Sequence, residues 1–288
     1  QRQMCIRDRY RGPLFDAHAH LVGSKDIKNT YAKDDRLHIN RERADEIFNT
    51  LEKENVIGLI GFLPIIHEYF VNDDSFNKGY QEETISVLAR PDNKISPFIY
   101  PRSHIGIPPR EHKHKLVDFI DQNIKKTGIP FKGIGELHTK YPQPDSYENM
   151  RLVDQEMLDL YDYAATNGLI MMIHPELEDM YDLHTALRHN PKTVFLLHGL
   201  IDSGAKEEGI SEALEELFQN YSNLYFSVDA ALMLGYSLND ACMYDKKQFI
   251  TTLRSDTLYT KLLSDSVDFW KPVIEAHPSR MMWGSDLN

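Results

Sequence analysis

The sequence predicts a single α/β domain, a (β/α)8 barrel that lacks its last helix. Three observations predict it. Eight apolar runs of about strand length recur along the chain, and most are apolar on both parities, as strands covered on both faces are. Helical patterns lie between the runs, and such alternation implies a parallel sheet. Eight strands in one domain favour a closed barrel over an open sheet. The chain stops at Asn288, directly after the eighth run, so a C-terminally truncated barrel is expected.

The runs occupy 14–21, 56–66, 95–101, 131–138, 169–174, 193–200, 224–230 and 281–287. The first helix shows an apolar face at Ala44, Ile47, Phe48 and Leu51. The next shows Leu116, Val117, Ile120 and Ile124 and is ended by Gly128. A third carries Met150, Val153, Met157, Leu160, Tyr161 and Ala164. Asp145 with Glu148 predicts its start and Gly168 its end. Leu214, Leu217, Phe218 and Tyr221 mark another, with Ser211 as its N-cap. The stretch 232–277 is long for one crossover and predicts a helical insertion. Neither a low-complexity linker nor a fixed-period repeat divides 13–288, so one barrel domain is expected there. Residues 1–12 are polar and Arg-rich, match nothing that follows, and read as a non-native or disordered leader.

Composition narrows the function classes. A net charge of −12 argues against a nucleic-acid partner, because phosphate binding needs clustered Lys and Arg. Two cysteines, Cys5 and Cys242, imply no disulfide framework, and a reducing, cytoplasmic setting is the expectation. No apolar stretch is long enough to span a bilayer, so no membrane partner is expected. A small-molecule substrate is, while homo-oligomerisation stays open.

The chemistry lies in polar residues that close apolar runs. Asp16-Ala17-His18-Ala19-His20 falls in the first run, and side chains two apart in a strand share a face, so His18 and His20 can meet one ion. A His-x-His pair alone is weak evidence. However, Glu136 closes the core of the fourth run, His174 the fifth, His198 the sixth and Asp286 the eighth. These are the strand ends at which barrel enzymes build their sites. Burying one such group unpaired costs on the order of a few kcal/mol. Six buried without a common purpose would be improbable, and a shared divalent cation supplies one.

With this ordered set, the sequence resembles the amidohydrolase superfamily, the TIM-barrel metal-dependent hydrolases, over nearly all of 15–288. The wording Phe15-Asp16-Ala17-His18-Ala19-His20-Leu21 and Trp283-Gly284-Ser285-Asp286 is closest to the amidohydrolase-2 group. The resemblance implies an enzyme that hydrolyses an amide, lactone or ester of a small molecule. The alternative is a decarboxylase of a small carboxylic acid using the same site; a non-catalytic metal-binding barrel is a weaker third. It implies one or two divalent ions, zinc first. His18, His20, His174 and Asp286 become metal ligands, and Asp286 also moves the proton of the attacking water. His198 either ligates a second ion or polarises water or substrate. Glu136 stands where two-metal relatives often place a carboxylated lysine; it can bridge two ions or stand behind the ligands. Lys132, earlier on the same run, lies too deep to bridge.

Substrate contacts are expected from residues after the strands. Arg102 and His104 follow the third run, where a guanidinium could hold a carboxylate in two bonds. Asp229 ends the seventh run and could touch substrate or cap the following helix. His112 and His114 copy the His-x-His spelling in a helical stretch, where residues two apart diverge, and they read as solvated surface.

Overall fold

The computed structural model describes residues 12–19, 41–64, 87, 89, 94–100, 115–139, 151–199, 210–229, 251 and 255–284. Its strands are β1 (Leu14–Ala19), β2 (Val56–Pro64), β3 (Ile95–Tyr100), β4 (Gly133–His138), β5 (Ile170–His174), β6 (Val194–Leu197), β7 (Leu224–Asp229) and β8 (Met281–Gly284). The described helices are α1 (Arg41–Lys53), α2 (Leu116–Thr127), α3 (Gln155–Asn167), α4 (Met180–His189), α5 (Ile210–Asn220) and α6 (Asp256–Ala276).

All eight strands pair in parallel and in chain order. β8 returns to lie against β1, so the sheet curls into a nearly closed barrel. Each predicted apolar run carries its strand, usually one to three residues shorter at an end.

Except at the register breaks of β1 and β4, the two parities of the strands sort into two cores. The outer one joins strand residues such as Leu59, Ile99, Met171, Phe195 and Phe226 to helix residues such as Leu116, Leu160, Leu187, Leu217 and Trp270. The inner one contains strand residues only: Ala17, Ile60, Phe62, Phe98, Tyr100, Met172 and Leu196. It fills the barrel, which is therefore packed rather than open. Full burial of each large side chain here is worth about 1.5–3 kcal/mol, which is why the runs are apolar on both parities.

Helix ends follow local chemistry with two corrections. α2 and α3 stop at Gly128 and Gly168, whose N–H groups return to the carbonyls of Ile124 and Ala164. The start predicted from Asp145 and Glu148 is not where α3 begins. The helix starts at Gln155 with Asp154 at its cap position, and Val153 precedes it; residues 140–150 lie outside the described residues. The stretch 151–154 that leads into the helix is not helical. There Arg151 donates to both carboxylate oxygens of Asp182 at 3.0 and 2.9 Å, tying the approach of α3 to α4. Ser211 lies within the first turn of α5 rather than at its cap, because the helix already begins at Ile210. Of the stretch expected to hold an insertion, the described part is the 21-residue helix α6.

Candidate metal centre

Four side chains from four strands meet at the C-terminal end of the barrel. His18 comes from β1, Glu136 from β4, His174 from β5 and His198 from the residue just after β6. Glu136 stands at the centre. Its Oε2 is 3.5 Å from His18 Nε2, and its Oε1 is 2.8 Å from His174 Nδ1 and 3.4 Å from His198 Nε2. The His18 and His198 rings are perpendicular with centroids 4.1 Å apart, and the His174 and His198 rings likewise at 4.7 Å. His18, Glu136 and His198 are buried, at 0%, 2% and 3% exposure. The His174 side chain keeps 22%, so the cluster opens to the mouth through it.

Two irregularities aim these groups inward. On β4, Ile134 and Leu137 both belong to the outer core although three positions separate them. The register with β5 breaks between them, and the extra residue turns Glu136 into the barrel. On β1, Ala17 belongs to the inner core and Ala19 to the outer, with a register break between Asp16 and Ala19. His18 thus owes its inward aim to a bulge that precedes Ala19, while its pairing with His20 falls outside the described residues. The Asp16 carboxylate accepts from the His18 N–H at 3.0 Å and fixes that bulge. The Phe62 ring meets His18 edge-on at 5.3 Å from the inner core.

β5 and β6 follow simple parity. Met172 and Leu196 are inner-core residues, and His174 and His198 stand two positions on. Gly199 takes φ +99°, and a Cβ there would lie 2.3 Å from Cδ2 of His174. Only glycine lets the ring pack so closely. Gly284 on β8 gives His18 similar room, since its Cβ would come within 2.7 Å of the His18 Cβ.

The donor set fits a divalent cation. Three of the groups can each offer one atom, from His18, Glu136 and His198, all within 4.8 Å of one another. The His18–Glu136 and His198–Glu136 separations of 3.5 and 3.4 Å exceed an ordinary N–H···O hydrogen bond. Each is close to the roughly 3.4 Å between two ligand atoms about 2.1 Å from a zinc-like ion in tetrahedral geometry, with the two rings meeting different oxygens of the carboxylate. His174 is closer to Glu136, at hydrogen-bonding distance. Burial alone would push its ring pKa down; the Glu136 hydrogen bond and charge outweigh burial and hold it above the ordinary 6.5. A buried carboxylate among three imidazoles is a donor set whose protons a cation could replace.

The structure brings together four of the six predicted ligands. His20 and Asp286 lie outside the described residues, as do Arg102 and His104. Asp229 ends β7, and its side chain lies outside the described residues. Lys132 precedes β4 and is exposed, away from the cluster. The sequence reading gave no role to Asp16 or Gly199. Asp16 stands inside the quoted motif and Gly199 directly follows a predicted ligand, so adjacency was the available signal.

No protein-family model matches the chain, and no curated protein does. Solved structures do. A Pseudomonas putida protein assigned as a 2-pyrone-4,6-dicarboxylic acid hydrolase aligns with a TM-score of 0.54 and 14% identity, over 96% of this chain and 83% of its own. A Burkholderia multivorans amidohydrolase with bound zinc gives 0.53 and 11%, over 96% and 84%. A 2,6-dihydroxybenzoate decarboxylase in complex with 2,6-dihydroxybenzoate gives 0.51 and 9%, over 96% and 87%. The structural neighbours of this chain are thus amidohydrolase-superfamily barrels, and what it shares with them is their fold.

Proposed function

We propose that this chain is a metal-dependent hydrolase that cleaves an amide, lactone or ester bond of a small molecule. The convergence of His18, Glu136, His174 and His198 at the C-terminal mouth of the barrel carries this reading. It is supported by neighbours of like fold that include a zinc-bound amidohydrolase. We take zinc as the ion, with one or two bound. His18 and His198 would hold it through Nε2, His174 through its ring, and His20 and Asp286 would complete the set.

A divalent cation at such a site supplies a water acidified from a pKa of about 15.7 to near 7 and a Lewis-acid contact for the scissile carbonyl. The protein does the rest. Glu136 keeps three rings aimed at one point. Asp286 would accept the proton of the attacking water and return it to the leaving group. His198 would donate to the oxygen that gains charge. Arg102 and His104, which follow β3 in the sequence, and Asp229, which ends β7, would select the substrate. The partly exposed edge of His174 supports a substrate bound on the solvent side of the cluster.

Metal analysis of the purified protein, with a screen of amides, lactones and esters before and after chelation, tests this. We expect stoichiometric zinc and a chelator-sensitive hydrolysis. A decarboxylase would share the site and is represented among the neighbours of like fold. Release of CO2 without incorporation of water oxygen would replace the hydrolase reading with that one. Protein that binds no divalent metal at micromolar concentration would overturn both.

A further inference from the structure

The exit of β5 is held by a set of hydrogen bonds that lies outside the four clustered side chains. Thr139 follows β4 and is 5% exposed. Its N–H donates to the His174 carbonyl at 3.2 Å. Its hydroxyl lies 3.4 Å from the same carbonyl and closer to Oδ2 of Asp179. A hydroxyl has one proton, and the shorter contact with the charged acceptor takes it. The same Asp179 oxygen accepts from the Glu176 N–H at 2.9 Å, and the Asp179 N–H donates to the Glu176 carbonyl at 3.0 Å. The turn after His174 is thereby closed on itself and tied to β4.

Asp179 occupies the N-cap position of α4, where an aspartate ordinarily accepts from the first-turn N–H groups. Its side chain makes no capping bond to that helix. It is diverted to Thr139 and Glu176, so the helix forgoes a side-chain cap. On the opposite side the His198 N–H holds the Ile173 carbonyl at 2.9 Å, and Gly199 packs on the His174 ring. His174 is the most exposed of the four clustered side chains and needs such external fixing.

We propose that Thr139 and Asp179 are positioning residues that latch the β5 exit to β4 and so set the Nδ1 of His174 on Glu136; this rests on the metal-centre reading above. Neither residue touches the ion or the substrate. Outer partners of this kind tune metal affinity by about 10- to 100-fold when they are removed.

The test uses the full chain, stripped of metal and titrated with Co²⁺, whose visible spectrum reports ligand geometry. We expect Thr139→Val to weaken cobalt binding by about 10- to 100-fold and to change the band shape. Thr139→Ser, which restores the hydroxyl, should return both to wild type. A merely structural role would lower the melting temperature and leave the spectrum unchanged. Should Thr139→Val fail to fold, Asp179→Asn, which keeps the shape and removes the charge, carries the test with the same expected direction. Wild-type cobalt affinity and spectrum in the folded variant overturn the latch alone. A wild-type chain that takes up no cobalt overturns the metal centre and the latch with it.

Discussion

Glu136 and His174 are 38 positions apart in sequence and face each other at 2.8 Å across the β4–β5 pair. The same Glu136 oxygen is 3.4 Å from His198, so a single carboxylate orders two rings and its other oxygen a third. Glu136→Gln keeps the shape and removes the charge. We expect zinc affinity to fall at least about 10- to 100-fold, measured by chelator competition. The melting temperature of the metal-free protein should change much less, since the amide can still meet the rings. Unchanged affinity would remove Glu136 from the site.

Asp286→Asn addresses the proton path. We expect kcat to fall by at least about 10²- to 10⁴-fold, the usual worth of a positioned base, with the circular dichroism spectrum retained. Steady-state kinetics on any substrate found in the screen measure it. Near wild-type kcat would assign the proton to another group.

Arg280 closes the bottom of the barrel. Its guanidinium donates to the carbonyls of Tyr221 and Leu224 at 2.6 and 2.9 Å and to that of Phe218 at 3.3 Å. It thus satisfies one carbonyl in the last turn of α5, one just past that helix and one at the start of β7, and links them to the start of β8. Arg280→Ala should cost about 2–3 kcal/mol, because charged hydrogen bonds are lost and buried acceptors are left behind. Arg280→Lys should recover only part of this, since an ammonium cannot fork to three carbonyls. Urea unfolding of the three proteins at equal m-value checks both statements.

Tyr163 on α3 donates to Asp121 on α2 at 3.1 Å. Burial, with the Asp121 charge and hydrogen bond, pushes its phenol up to about 12 from 10.0. A folded-state pKa raised above the unfolded one gives stability that is full below the unfolded value and is lost as pH climbs through the folded one. The wild type should therefore lose stability between about pH 10 and 12 more steeply than Tyr163→Phe. Denaturation midpoints across that range read the difference, and parallel curves would mean that Tyr163 does not titrate as described.

Much of this was legible in one dimension. Eight apolar runs determined eight strands, because a strand buried on both faces must be apolar on both parities, and that pattern survives without knowledge of its neighbours. His174 and His198 were placed for the same reason: each follows a run that has to be buried, two positions beyond an inner-core residue. What the sequence could not carry is anything that depends on register between strands. The bulges that turn His18 and Glu136 inward arise from pairing with β2 and β5, and no local spacing encodes them. The described α3 begins at Gln155, just after Arg151 meets Asp182, a contact 31 positions long that no local spacing shows. Thr139 and Asp179 stand 40 positions apart and come together only when β4 pairs with β5. Local chemistry thus determined which residues are buried and which strand ends carry polar groups. Long-range strand pairing alone decided which of those groups touch.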